Sequence, residues 1–253
     1  MPAPFLSVII PSYNEQKNVS RGVLDEVVSY LGQQSYDWEV ILSDDGSTDG
    51  TVSELLAFAD KHPGVRVLAN PHGGKGPTVQ SGMLAATGQW QLFTDFDQST
   101  PLREVEKLLL FTKDYDIVIG SREIEGAHRD EEPWYRHLMG RGFNMAVQVL
   151  AVPGIFDTQC GFKLFSQQAS HDLFSRLKVY GRDHILADAF TGAFDVEILF
   201  LGRKKGYRIK EVPINWQHHE TDRVNPIKDS VRMLKDIVRV RWADLRGLYH
   251  HEA

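Results

Sequence analysis

The chain has one cysteine, Cys160, in 253 residues. A lone thiol excludes an intrachain disulfide framework and fits a reducing compartment. It reads as a small packed residue rather than a nucleophile. No apolar run approaches the roughly 18 residues of a spanning helix. The start, Met1-Pro2-Ala3-Pro4, lacks a charged segment followed by a long apolar one, so no leader is expected. Internal repeats, low-complexity tracts and a Pro/Gly/Ser linker are also missing. Positive charge is in deficit: the net charge is −6, which argues against nucleic-acid binding by electrostatics and makes any basic surface local. With 42% hydrophobic residues the chain can bury a sizeable core, so one domain over residues 1–253 is expected.

What is present is a run of short apolar segments alternating with helical patterns. Strands are predicted at Leu6–Ile10, Glu39–Leu42, Val65–Leu68, Trp90–Thr94 and Asp116–Gly120. Helices are predicted over Val19–Leu31, Thr51–Lys61, Thr78–Ala86 and Arg103–Thr112. This alternation predicts an α/β fold, a mostly parallel central sheet flanked by helices. The second half is less regular. Helices are expected at Trp134–Val152, Phe194–Leu201 and Ile227–Tyr249, a short strand at Gly161–Phe165 and an extended segment at Tyr207–Trp216.

Ligands of open parallel sheets bind just past the carboxyl ends of strands. Four motifs fall there: Pro11-Ser12-Tyr13-Asn14-Glu15, Asp44-Asp45-Gly46-Ser47-Thr48-Asp49-Gly50-Thr51, His72-Gly73-Gly74-Lys75-Gly76 and Asp95-Phe96-Asp97. Two carboxylates one residue apart can share a divalent metal and leave its other positions to phosphate oxygens. Glycines beside a lysine let backbone and ammonium approach a phosphate together. Each motif also has a plain reading. Asp49 can cap a helix, Tyr13 can be core, and the glycine loop can be a turn. Adjacent Asp44 and Asp45 repel unless a donor or cation meets them.

Together these motifs resemble the family-2 inverting glycosyltransferases of GT-A nucleotide-sugar fold. The resemblance continues through Gly120-Ser121-Arg122, Asp157 to Phe165, Phe194-Asp195-Val196-Glu197, Glu211 to Trp216 and Arg232 to Asp236. In these later segments it is to the dolichyl-phosphate glucosyltransferases, with the mannose synthases next. It implies that Pro11, Tyr13, Glu15, Asp44 and Asp45 line the donor pocket and that Lys75 sits near the nucleotide. Asp95 and Asp97 would hold Mg2+ or Mn2+, with Ser99 where the mannose synthases place a glutamine ligand. Residues 5–125 would bind the nucleotide sugar and residues 126–253 the acceptor.

A polyprenyl phosphate acceptor needs no general base, since its oxygen is already largely ionised near neutral pH. It needs cations to seat it. Arg122 is one candidate; the resemblance adds Arg136, with Asn144 on the same helix face, and Arg223 and Lys228 where related enzymes carry a basic clamp, His218 to Arg223 replacing the Gly-Ser-Lys usual there. Asp195 and Glu197 are read as substrate-binding. They serve as the base of a hydroxyl-acceptor enzyme, as carboxylates orienting Arg122 or Arg136, or as caps of the helix they begin. His218 and His219 have no partner at zinc spacing.

The expected reaction is glucose transfer from UDP-glucose to a dolichyl or undecaprenyl phosphate. The alternatives are a GDP-mannose donor, a hydroxyl acceptor, or a non-catalytic binder. Ile227, Val231, Leu234, Val238, Trp242 and Leu245 form a helical stripe among basic residues. It either packs on the sheet or lies on a membrane surface. A cytoplasmic, peripheral protein is expected; the pattern fixes no oligomeric state.

Overall fold

The computed structural model describes residues 3–129, 152–181, 194–217 and 226–249; for 129, 226–234 and 236 the backbone alone is described. The elements are β1 (Leu6–Ser12), α1 (Gln16–Ser20), α2 (Val23–Leu31), β2 (Trp38–Asp44), α3 (Thr51–Ala59), β3 (Val65–Ala69), α4 (Lys75–Ala85) and β4 (Trp90–Thr94). Then follow α5 (Val105–Leu109), β5 (Ile117–Ser121), β6 (His128–Arg129), β7 (Phe162–Ser166), α6 (Gln167–Phe174), α7 (Phe194–Lys204), β8 (Ile209–Pro213), β9 (Asn215–Trp216) and α8 (Pro226–Leu245).

Seven strands form one sheet in the order β3-β2-β1-β4-β7-β5-β8, and β6 pairs with β9 beside it. All neighbours in the large sheet run parallel except β7, which is antiparallel to both β4 and β5. The period of two along a strand decides which residues face which layer. Leu6, Val8 and Ile10 join Val40, Leu42, Leu92 and Leu164 in a core with α2 and α5. Ile9, Ile41, Phe93 and Phe165 face the other way, against α4, α6, α7 and α8. Both faces of the sheet are covered, so the open positions lie at its strand ends.

Several expectations change. The helix expected over Val19–Leu31 is two helices, because Gly22 adopts a left-handed φ of 79° between them. Helix α4 starts at Lys75, three residues earlier than the pattern indicates. Gly74, with φ 92° and ψ 174°, turns the chain into it. Lys75 is thereby the first residue of a helix rather than part of a free loop. Helix α6 was not anticipated; Ser166 caps it by accepting a hydrogen bond from the Ala169 amide at 3.2 Å.

Candidate active site

The β1 and β2 ends are laced together. The Asp45 amide donates to Ser12 O at 2.9 Å, the Asn14 amide to Ser47 Oγ at 2.9 Å, and the Glu15 amide to Thr51 Oγ1 at 2.9 Å. Asp44 is fully buried and engaged. It accepts from the Ser12 hydroxyl at 3.0 Å and from the Ser47 hydroxyl and amide at 2.6 and 2.8 Å. Its carboxylate folds the loop.

Asp45 shapes the next loop. The Gly73 amide donates to Oδ1 at 2.8 Å, and the Gly74 amide reaches both oxygens at 3.1 and 3.0 Å. His72 Nδ1 lies 3.0 Å from Oδ2, and its ring stacks on Tyr13 with centroids 4.5 Å apart. His72 carried no assignment in the sequence beyond opening the glycine loop. In the structure it joins Tyr13 to Asp45, two of the residues read as nucleoside contacts. Glu15 Oε2 accepts from the Asn18 side chain at 2.5 Å.

Asp95 stands at the β4 end, and its carboxylate rests directly on Gly161. A Cβ at 161 would lie 2.1 Å from Asp95 Oδ2, so any larger residue would expel the carboxylate. Lys75 Nζ is 2.5 Å from Asp95 Oδ1. Burial disfavours the Lys75 ammonium, but Asp95, then Asp195 and Asp97, outweigh it and hold its pKa above the ordinary lysine value. Asp97 accepts from the Ser99 amide at 2.9 Å. Ser99 therefore meets Asp97 through its backbone. Among the described residues no third His, Cys, Asp or Glu completes a metal cluster. Asp97 also lines a cleft of 320 Å³ flanked by Arg21 and Arg103.

Behind Asp95 lies a cation that pattern reading passed over. Lys163, in the middle of β7, is fully buried. Its ammonium donates to Asp195 Oδ1 at 2.5 Å and to the Cys160 carbonyl, and lies 5.2 Å from the Phe93 ring centroid. A lysine within the apolar run Phe162-Lys163-Leu164-Phe165 was the available signal. Burial pushes the Asp195 carboxyl upward, and Lys163 and Lys75 pull against it. The four charged groups of Lys163, Asp195, Lys75 and Asp95 alternate in sign, from the buried Lys163–Asp195 pair to the partly exposed Lys75–Asp95 pair.

Arg122 follows the end of β5 and is held by Asp157, not by Asp195 or Glu197. Nε and Nη2 reach the two carboxylate oxygens at 2.7 and 2.9 Å, and the Arg122 amide adds a third bond at 2.9 Å. The guanidinium lies 5.7 Å from the Trp216 ring centroid. The fork uses two of its five N–H groups. Burial opposes the Asp157 charge, yet Arg122 outweighs it and holds the pKa at about 2. Burial raises the Cys160 thiol to about 12, which fits a packed residue.

Glu197 is likewise engaged within the fold. It is fully buried and accepts from the amides of Lys178, Val179 and Tyr180 at 2.8, 2.9 and 3.0 Å, and from the Tyr249 hydroxyl at 2.7 Å. Three of those bonds fall on Oε1 and one on Oε2, so the carboxylate pins residues 178–180 and Tyr249 to helix α7. Arg136, Asn144, Arg223, His218 and His219 lie outside the described residues, and Lys228 is described by its backbone alone.

Four strand ends thus converge on one edge of the sheet, with a glycine-seated carboxylate, an ammonium and a second carboxylate at its centre. Residues 7–174 match the family model described as glycosyl transferase family 2. The chain belongs to glycosyl transferase family 2. It is 34% identical to the dolichyl-phosphate beta-glucosyltransferase of Dictyostelium discoideum, over 97% of this chain and 76% of that one. It is 33% identical to the human protein of that name, over 99% of this chain and 79% of the other. This family-2 chain is therefore a glycosyltransferase that groups with the dolichyl-phosphate β-glucosyltransferases. Its fold is GT-A. Glucosyl-3-phosphoglycerate synthase from Mycobacterium tuberculosis, solved with Mn2+, UDP and glucosyl-3-phosphoglycerate, superposes with a TM-score of 0.64 at 17% identity, over 99% of this chain and 81% of that one.

Proposed function

We propose that the protein moves glucose from UDP-glucose to a polyprenyl (dolichyl or undecaprenyl) phosphate, with inversion, to give a β-linked lipid-phosphate sugar. It acts peripherally at the cytoplasmic face of a membrane. The observation that carries this reading is the Asp95–Asp97 pair beside Lys75, in a chain whose relatives are named for β-glucosyl transfer to dolichyl phosphate. Residues 5–125 would supply the donor pocket through Pro11, Tyr13 and Glu15, with Asp45 holding the glycine loop in place beside them, and residues 126–253 the acceptor seat.

The donor set suits Mg2+ or Mn2+. Two carboxylates offer hard oxygens, Gly161 leaves Asp95 its room, and an ammonium already lies against Asp95 where positive charge is wanted. A divalent cation bound there supplies charge that stabilises the departing diphosphate. Asp95 and Asp97 would hold it, and Lys75 would lie beside the diphosphate. Arg122, kept in one orientation by Asp157, presents its remaining N–H groups to the acceptor phosphate. Arg136, Asn144, Arg223 and Lys228 are proposed to complete that seat. An ionised phosphate oxygen then bonds to the anomeric carbon as the bond to UDP breaks and its electron pair leaves with UDP. No proton needs removing. Asp195 Oδ1 accepting from the Lys163 ammonium supports an acceptor of that kind rather than a hydroxyl.

The test is a donor panel of radiolabelled UDP-glucose, GDP-mannose and UDP-N-acetylglucosamine against polyprenyl phosphate, scoring organic-phase label with and without chelator. Label from UDP-glucose alone, lost on chelation and restored by Mg2+ or Mn2+, is expected. Label from GDP-mannose instead overturns the donor. Turnover of a hydroxyl acceptor, lost in Asp195→Asn, overturns the acceptor.

A further inference from the structure

Helix α8 has two apolar sides. Ile237, Val240 and Ala243 are buried in the core with Tyr249. Val238, Trp242 and Leu245 are exposed to 59%, 56% and 77%. Spacings of four and three put the exposed trio on one line, on the side of the helix opposite the buried set. Core packing explains the first trio and not the second. Leu248, exposed to 44%, extends the patch past the helix end. Single exposed apolar residues are ordinary, but a row in register marks an interaction surface.

The border of the row is basic. Lys235, Arg239 and Arg246 lie on one flank and Arg241 on the other, all exposed. Arg246 covers the Trp242 ring at 5.0 Å and Arg241 the Phe200 ring at 5.4 Å. Asp244, the acid among the described side chains of this stretch, pairs with Lys204. The chain as a whole is net negative, so this concentration of cations is local. Among the described residues no helix is long and apolar enough to cross a membrane.

We propose that the outward face of α8 docks on an anionic bilayer surface. Trp242 and Leu245 enter the boundary between headgroups and acyl chains, and Lys235, Arg239 and Arg246 meet lipid phosphates. Charge decides for lipid over a second copy of the chain: two such faces would oppose cation to cation, whereas an anionic surface complements them. The proposal rests on the polyprenyl-phosphate reading, because a substrate held in a bilayer must be met there. Its test needs no substrate.

The experiment is co-sedimentation with phosphatidylcholine vesicles, with and without phosphatidylglycerol, at low and high salt. The wild-type chain is expected to bind the anionic vesicles and to release them at high salt. Trp242→Ser combined with Leu245→Ser is expected to weaken binding about 100-fold, since two large side chains no longer leave water. Lys235→Glu with Arg239→Glu should remove the preference for anionic vesicles. Leu110→Ser, at another exposed leucine (77%), should bind as wild type. Unfolding midpoints confirm that the variants are folded. Absence of wild-type binding, wild-type binding by the Trp242/Leu245 variant, or a solution dimer dissolved by that variant would each overturn the docking face. Turnover of a short water-soluble prenyl phosphate without vesicle binding sinks the docking face alone. Vesicle binding without any turnover supports the docking face and sinks the substrate reading.

Discussion

Two pairs of acids stand at the ends of parallel strands with β1 between them. Asp44 and Asp45 close β2, and Asp95 and Asp97 follow β4. The first pair is consumed by its surroundings. Two serine hydroxyls and an amide converge on Asp44, and two glycine amides with His72 converge on Asp45. The second pair is met by one ammonium and one amide. A carboxylate caged by fixed amides gives shape to a loop. One faced by the end of a flexible lysine keeps the capacity to take another cation. Near-identical sequence features therefore do different work, and the partners decide which.

The largest effect should come from the open pair. Asp97→Ala is expected to lower turnover by about 1,000-fold, near 4 kcal/mol of barrier, with an unchanged urea midpoint. Retained turnover would make the β4 pair as structural as the β2 pair. Asp44→Ala should do the reverse. It strands the Ser47 amide and two hydroxyls in a buried loop, at a cost of about 2–3 kcal/mol in urea unfolding. Turnover per folded molecule should stay within about threefold, as for a substitution that only loosens a scaffold. An activity loss matching that of Asp97→Ala would erase the contrast.

A third caged acid sharpens the comparison through pH. Asp157 sits at about 2 in the folded chain against an ordinary 3.8, so the folded state binds its proton less readily. Its stabilisation is complete above about pH 4 and is lost as pH falls toward 2, roughly 2 kcal/mol in all. Acid titration of unfolding should show that loss in the wild type and a flatter curve in Asp157→Asn. The smallest effect is Tyr249→Phe, which removes one of four bonds to Glu197. About 1 kcal/mol is expected in chemical denaturation. A loss of turnover with no change in stability would return Glu197 to the substrate site.

Much of this was legible in the sequence. Short apolar runs ending in Asn-Glu, Asp-Asp, Gly-Gly-Lys and Asp-Phe-Asp marked strand ends, because strand period and turn chemistry are local properties. The start of α4 was misread because Gly73, Gly74 and Gly76 around Lys75 read as a turn, while the structure uses Gly74 to enter a helix. Strand β7 was legible at Gly161–Phe165 but its antiparallel direction was not, since direction depends on which neighbours a strand finds. Lys163 hid in an apolar strand, where its counter-charge Asp195 lies 32 residues away. Of the terminal stripe, the side chains of Ile227, Val231 and Leu234 lie outside the described residues. Val238, Trp242 and Leu245 do line up, but they face outward while Ile237, Val240 and Ala243 fill the core.

The sequence alone determined which chemical groups stand at each strand end and to which family the chain belongs, since both follow from residue identity and local spacing. Tertiary structure decided which acids remain available. The amides and imidazole that cage Asp45 come from 27 to 29 residues away and the arginine that holds Asp157 from 35, while Asp44 is met by one distant serine, 32 residues off, and by the nearby Ser47. A distant amide's direction is set by the packed backbone, not by the residues beside the acid it meets.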